Sequence, residues 1–527
     1  MTKRISILDC TLRDGGYINR WSFGSDSISG IIDLLNNAGI DIIECGFLRD
    51  QAYDHDKTVF SDVNQIVPFI SPKKPGVLYV GMIALGDISP EQIAPYDGSS
   101  IDGIRLTFHK NEWEKARETA VKLMEKGYKV FIQPVGTTSY SDEELLRLIG
   151  DVNSLHPFAF YLVDTLGIMY RHDVLRFFYF IDHNLDSDIR LGFHSHNNLQ
   201  VSFANAQELL LESTKRQIII DTSVYGMGRG VGNLPTELLT EFINVNVEQR
   251  YAIMPLLTIA DQYLMSIYAE TPWGYALPYY LSAKEHCHPN YASYLINKET
   301  LNIEAISKVL SMLPVDQSDL YHQDLIEKLY DSFQSCQIDD TAVCAALTEK
   351  VSDREALILG PGATISSYSE MLQNYISVNH PYVVSVNFIP DTVSADALFI
   401  SNQKRLDLLK NYIGTYPNVI ATSNLLNELP TNVQFVNYTD YLGEGHVGDN
   451  AGAMLIRLLC KCGVSRILLA GFDGFGTNVE DNYCIPSYKR MLDKIEADKK
   501  NTDISRQLRL ALGGIPYAFL TPSRYDI

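Results

Sequence analysis

The chain has 527 residues, a formal net charge of −21 at pH 7 and eight cysteines. That length exceeds one ordinary domain and suggests two or three, while the acidic balance excludes nucleic acid as an expected partner, because phosphate binding needs clustered Lys and Arg. A membrane is excluded as well, since there is neither a basic amphipathic run nor an apolar stretch of about 18 residues.

Taken in chain order, apolar β-rich runs occur at 5–8, 40–45, 77–83, 103–108, 129–132, 159–163, 189–193 and 218–221. The start, Met1-Thr2-Lys3-Arg4-Ile5, leads straight into the first run and lacks the apolar core of a signal peptide. With scattered cysteines that form no framework, it points to reduced thiols in a cytoplasmic protein. Between the runs lie stretches of helical period, for example 27–37, 113–126, 141–149 and 200–211. Strand and helix alternating over residues 1–250 predict an α/β fold, a (β/α)₈ TIM barrel whose active site lies at the C-terminal ends of its strands.

Three stretches at those ends carry the chemistry: Asp9-Cys10-Thr11-Leu12-Arg13-Asp14-Gly15-Gly16, His194-Ser195-His196-Asn197-Asn198, and Gly226-Met227-Gly228-Arg229-Gly230-Val231-Gly232-Asn233. Two imidazoles one residue apart on extended backbone share a face, because side chains alternate with period two. With a carboxylate they make a site for a borderline or hard divalent cation: Mn²⁺, Mg²⁺, Co²⁺ or Zn²⁺. The glycine-rich stretch precedes Pro235-Thr236-Glu237, a helix start, and forms a backbone-amide nest suited to a carboxylate or phosphate.

At these residues the chain resembles the DRE-TIM metallolyases, which include hydroxymethylglutaryl-CoA lyase, isopropylmalate and homocitrate synthases and 4-hydroxy-2-oxovalerate aldolase; the resemblance covers residues 1 to about 300. It implies that Asp14, His194 and His196 are metal ligands, completed by Asn233, and that Arg13 is the cation that steadies an enolate. The implied activity is that of a class II aldolase, a metal-dependent carbon–carbon lyase, acting on a 4-hydroxy-2-oxo acid through a pyruvate-type enolate, with Mn²⁺ or Mg²⁺ as Lewis acid. Its substrates would be a 2-oxo acid and an aldehyde. The best-known aldolases of the family carry a histidine three residues after the metal-binding aspartate, where this chain has Tyr17. An unperturbed tyrosine titrates at about 10, so Tyr17, His109 and metal-bound water all remain candidates for the base. Gly15-Gly16-Tyr17 also differs from the Gly-Glu-Gln of the acetyl-CoA-dependent synthases, which weakens a condensation reading. An acyl-CoA lyase or synthase remains the rival within the superfamily.

Further polar residues sit at the predicted strand ends: Asp9, Glu44, Arg105, Gln133, Asp164, Thr165 and Thr222. Unpaired charge in a barrel mouth is unfavourable, so Glu44, Arg105, Gln133, Asp164 and Thr165 either bind substrate or form an interior salt-bridge network. Both readings stand.

Residues 251–350 read as helices around an aromatic island, Thr271-Pro272-Trp273-Gly274-Tyr275-Ala276-Leu277-Pro278-Tyr279-Tyr280, followed by His286-Cys287-His288-Pro289-Asn290-Tyr291. The aldolases resembled here close the barrel mouth with such a segment and contact an aldehyde dehydrogenase through it; the packed core of a helical subdomain or a homodimer surface is the other reading. Cys460-Lys461-Cys462 reads as packing, because a structural zinc site needs four ligands. From 351 the pattern restarts as a separate α/β unit with strand-like runs at 356–359, 383–388, 397–400, 419–422, 433–436 and 466–470. Gly360-Pro361-Gly362 after its first strand and Gly471-Phe472-Asp473 after its last resemble the Rossmann-like domains of sialyltransferase-like and pterin-diphosphokinase-like proteins. Residues 351–527 are accordingly expected to bind a nucleotide or sugar phosphate through Gly360 and Gly362, with His446 either catalytic or part of a helix-capping loop. Together the domains suggest a role in building a surface sugar, with the main activity in the barrel or, as the rival, in a C-terminal transferase.

Overall fold

A computed structural model describes residues 5–318, 320–414, 416–429, 433–443, 449–489 and 491–527. The chain divides into two compact units, one of residues 1–293 with 314–321 and the other of 294–313 with 322–527. The helices between residues 253 and 351 are divided between the two units.

In the first unit the strands are β1 (Ile5–Asp9), β2 (Ile42–Leu48), the two-residue β3 (Val59–Phe60), β4 (Leu78–Ala84), β5 (Gly103–Phe108), β6 (Lys129–Pro134), β7 (Ala159–Asp164), β8 (Arg190–Ser195) and β9 (Ile218–Thr222). They run in the order β1-β9-β8-β7-β6-β5-β4-β2, with β3 beside β2, and a β1–β2 pairing closes the barrel. All pairings are parallel, and all eight barrel strands fall on the expected runs. Burial on both faces explains why they read as nearly unbroken apolar stretches.

Helices cover the barrel wall. In Ser25–Ala38 the residues Ile28, Ile31, Ile32, Leu35 and Ala38 are buried, a stripe of helical period, and Gly39 ends the helix at φ +82°. Asp142–Leu155 starts on a reciprocal cap in which the Ser141 hydroxyl accepts from the Glu144 amide while Glu144 accepts from the Ser141 amide.

Inside the barrel, Leu8, Ile42, Val80, Phe131, Tyr161 and Ile219 form an apolar layer. Two residues further along the same strands, on the same inward face, stand Glu44, Gln133 and Asp221. The alternation therefore stacks a polar layer on an apolar floor, at the C-terminal mouth.

The second unit holds β10 (Glu355–Leu359), β11 (Tyr382–Val386), β12 (Ala397–Ile400), β13 (Val419–Thr422), β14 (Gln434–Val436), β15 (Arg466–Ala470) and β16 (Tyr517–Phe519), all parallel, in the order β14-β13-β12-β11-β10-β15-β16. The last strand lies beyond the sequence expectation: three residues flanked by Gly513-Gly514 and Pro516, with Tyr517 exposed, carry no hydrophobic period. Cys462 is buried in the core of this unit. No helix among the described residues is long and apolar enough to cross a membrane.

Candidate metal centre

β1 hands over to the turn Thr11–Asp14, β8 carries His194 with His196 just beyond its end, and β9 leads into the glycine-rich loop. Because β9 lies between β1 and β8, these three handovers meet. One ligand atom each from Asp14, His194 and His196 lie within 4.8 Å of one another, and the two imidazole rings stand at 89° with centroids 5.3 Å apart. Asn233 joins them: a bridge pairs its backbone with that of His196, and its amide nitrogen donates to Asp14 Oδ2.

The glycine-rich loop is built to seat Asn233. A Cβ on Gly228 would come within 2.5 Å of the Asn233 side-chain nitrogen, so that position has no room for a side chain. The amides of Gly226, Met227, Gly232 and Asn233 bond to carbonyls nearby in the chain, at Ser223, Val224, Arg229 and Gly226. Those amides are spent on holding the loop's own shape.

Around the triad runs a buried charge network. Arg13 donates through Nη1 to Asp14 Oδ1 at 2.7 Å and through Nε to Glu44 Oε2 at 2.8 Å. Arg105 donates to the same Glu44 oxygen at 2.7 Å and also to Asp221. With its amide oxygen turned toward Arg105, Gln133 accepts from Nε at 2.8 Å. Asp221 in turn accepts from Tyr161 at 3.1 Å and faces His194 Nδ1 at 2.9 Å, which leaves Nε2 as the nitrogen free to coordinate.

Two guanidiniums face three carboxylates, and none of Arg13, Asp14, Glu44, Arg105 and Asp221 is more than 5% exposed. The buried set therefore carries one net negative charge, a condition a bound cation relieves. Burial opposes ionisation of Asp14, but Arg13 above all, then His196, His194 and the Asn233 amide, hold its carboxyl below the usual range. Burial also keeps His196 below its ordinary value, against the pull of Asp14. An ionised aspartate and a neutral imidazole are the states a metal requires. Asn233 Oδ1 is buried with no hydrogen-bond partner among the described residues. The donor set and that spare oxygen fit a divalent cation.

The other expected site residues of the barrel lie on its strand ends and the turns that follow them. Tyr17 is 40% exposed, edge-on to Trp21 and Phe47, with the Arg229 guanidinium 5.7 Å from its ring centre. His109 follows β5 and starts the turn Lys110–Glu112, its backbone amide bonded to Glu112. Asp164 is spent on backbone: its carboxylate accepts from Ile168 and Met169 at 3.0 Å, and its carbonyl accepts from the His196 amide at 3.2 Å. Burial nevertheless pushes that carboxyl up to about 6. Thr165 accepts from the Gly136 amide. Asp9 accepts from Thr236, whose hydroxyl also contacts Thr222, so both tie β1 and β9 to the following helix.

The aromatic island packs on the glycine-rich loop. Trp273 donates to the Tyr225 carbonyl at 3.0 Å, the Gly274 amide reaches the Gly230 carbonyl, and Tyr279 lies against Gly230. His288 is pushed down to about 4 by burial and by Arg229.

Asp221 was not legible as a site residue, because one acid in Ile218-Ile219-Ile220-Asp221-Thr222 does not announce a partner 27 positions away. Its spacing of two from inward Ile219 was the available signal.

The HMGL-like family matches residues 102–261. The first unit contains an HMGL-like domain. Such a domain is of the DRE-TIM superfamily, and together with the relatives it supports a lyase activity for this unit. A 4-hydroxy-2-oxovalerate aldolase from Pseudoalteromonas translucida is 25% identical over 270 residues, 50% of this chain and 76% of that protein. An oxaloacetate decarboxylase from Mycobacterium tuberculosis is 27% identical over 241 residues, 44% of this chain and 68% of that one. Among solved structures, the HMG-CoA lyase from Brucella melitensis aligns at a TM-score of 0.41 and 14% identity, over 50% of this chain and 99% of its own.

In the HMGL-like barrel the Asp221 carboxylate fixes the tautomer and orientation of His194. Asp221→Asn is expected to lower metal affinity by about 10–100-fold, the usual effect of losing such a partner. Titration of metal-stripped protein with Mn²⁺, followed by electron paramagnetic resonance, measures it; unchanged affinity would show that Asp221 serves only the Arg105 pair.

Proposed function

We propose that the HMGL-like barrel is a metal-dependent aldolase that breaks or forms the C3–C4 bond of a 4-hydroxy-2-oxo acid, with pyruvate as one product or substrate. The observation that carries this reading is the buried set of Asp14, His194 and His196 with Arg13 bonded to Asp14. Asp14, His194, His196 and Asn233 would hold a divalent ion, Mn²⁺ or Mg²⁺, which supplies Lewis acidity toward the 2-oxo acid.

The chain's own residues do the rest. Arg13, protonated at any working pH, is fixed by Glu44 and Asp14 and places positive charge where the enolate oxygen develops. Cleavage requires loss of the proton on the C4 hydroxyl, and Tyr17 is our first choice for that base. It stands one turn beyond Asp14, with the Arg229 cation over its ring. His109 is the second choice.

The oxaloacetate decarboxylase relative favours a second reading. Loss of CO₂ from oxaloacetate breaks the same C3–C4 bond and leaves the same pyruvate enolate, with no hydroxyl proton to remove. A panel of 4-hydroxy-2-oxo acids plus oxaloacetate therefore tests both, with pyruvate read through lactate dehydrogenase. Pyruvate is expected only when Mn²⁺ or Mg²⁺ is restored to stripped protein, and is expected to vanish in His194→Ala. Tyr17→Phe is expected to slow aldol cleavage by about 10²–10⁴-fold and to spare decarboxylation. Metal-bound protein that releases no pyruvate from any of these substrates would overturn the proposal.

A further inference from the structure

The sheet of the second unit changes direction at β10. The chain steps outward from β10 through β11, β12, β13 and β14, then returns to the opposite side of β10 for β15. In open parallel sheets the loops on either side of such a reversal diverge and leave a crevice at the strands' C-terminal ends. A cavity of about 430 Å³ lies there, lined among others by Gly360, Gly362, Asn387, Arg405, Asn450 and Asp473.

The glycines are not what marks it. Neither Gly360 nor Gly362 has a positive φ, and their missing Cβ atoms make room for Gly471 and Asp473. They clamp the two loops together across the reversal.

Asn387, just past β11, is different. It is 8% exposed and holds a left-handed φ of +55°, a conformation that asparagine tolerates better than most residues. Its amide donates to Phe399, its carbonyl accepts from Tyr488 and its Oδ1 accepts from the Ser401 amide. Everything but Nδ2 is engaged. That nitrogen belongs to a residue more than nine-tenths buried that lines the cavity, and it has no hydrogen-bond partner among the described residues.

Arg405 supplies the charge. Its guanidinium stacks on Tyr488, 3.5 Å from the ring centre, and no carboxylate among the described residues lies within ion-pair reach. Asn450 caps the helix Ala451–Lys461 by accepting from the Ala453 amide at 3.1 Å. Ala451 and Gly452 also line the cavity, so the first-turn amides, with the positive end of the helix dipole, are presented to it. The same lining holds Asp449 and Asp503, which suit hydroxyl groups rather than further anions.

We propose that this cavity binds a sugar phosphate, free or as part of a nucleotide. The phosphate meets Arg405 and the first-turn amides of Ala451–Lys461, a ligand acceptor meets Asn387 Nδ2, and the sugar hydroxyls meet the carboxylates. A bare anion would leave Asn387 and the carboxylates without a role. His446, the expected partner in this region, lies outside the described residues.

The test is calorimetric titration of the full chain with nucleoside mono- and diphosphates, glucose 6-phosphate and mannose 1-phosphate, with inorganic phosphate as reference. At least one sugar-phosphate ligand is expected to bind at about 100 µM or tighter and more tightly than inorganic phosphate. Nucleotide and hexose arms distinguish the two sources. Asn387→Asp, which keeps the acceptor and loses the donor, Asn387→Gly, which keeps the backbone conformation, and Arg405→Gln should each weaken binding about tenfold or more with unchanged circular dichroism. His194→Ala should bind as the parent does. The proposal is overturned if no ligand in the panel outbinds inorganic phosphate, if the Asn387 and Arg405 variants bind normally, or if His194→Ala removes the binding and so moves it to the barrel.

Discussion

Arg13→Lys is expected to leave the barrel folded and metal-loaded while pyruvate release falls by about 10²–10³-fold, the scale of losing one preorganised donor to developing negative charge. The reason is geometric. The Arg13 side chain uses two arms of one planar fork, Nη1 on Asp14 at 2.7 Å and Nε on Glu44 at 2.8 Å, so two acids fix its plane. Lysine keeps the charge as a compact point on a flexible stem, and it cannot reproduce the fork. A guanidinium held in this way meets charge in the transition state without reorganising, whereas an ammonium would have to be drawn from one carboxylate toward the substrate. Metal content by elemental analysis, an unfolding midpoint and kcat on loaded protein separate the alternatives. A kcat within threefold of the parent, with metal bound, would show that the network needs charge at this position but not the fork.

What could be read from the sequence divides along physical lines. Barrel strands were legible because burial on both faces leaves a run such as Ile42 to Leu48 almost wholly apolar. His194 and His196 were legible because period two on one extended segment is a local rule. Asp14 was legible only through its place beside Arg13 in a recognisable stretch. What escaped depends on partners distant in the chain. Arg105 bonds Glu44 61 positions away and Asp221 116 positions away, and no local pattern distinguishes that pairing from a substrate contact. The allegiance of the helices in 294–350 escaped for the same reason: an amphipathic stripe such as that of Gln323–Gln334 shows that a helix buries one face, without showing against which core. Tyr517–Phe519 escaped because three half-exposed residues carry no period at all.

Arg105→Met is the substitution expected to cost the most stability, about 3–5 kcal/mol, because it takes one of two cations out of a buried cluster of three carboxylates. Arg105 is fully buried, and its guanidinium reaches Glu44, Asp221 and, through Nε, Gln133. Every nitrogen is thereby engaged by protein, so the residue supports the site from below and has no arm left for substrate. Methionine fills much of the same volume, so the loss would come from two carboxylates, Glu44 and Asp221, deprived of their shared cation rather than from a cavity. All three tryptophans, Trp21, Trp113 and Trp273, belong to the first unit, so their fluorescence during guanidinium unfolding reports the barrel alone. A fall in the midpoint with an unchanged slope is the expected signature of lost stability. Adding Mn²⁺ should restore part of it, since a cation bound at Asp14 and the histidines returns positive charge to the same buried cluster. Adding Glu44→Gln should also recover part, because removing one stranded carboxylate removes part of the penalty, and the two effects should then be non-additive as residues in one network are. A midpoint unchanged in Arg105→Met, with KM raised instead, would reassign Arg105 from the barrel's charge balance to substrate binding.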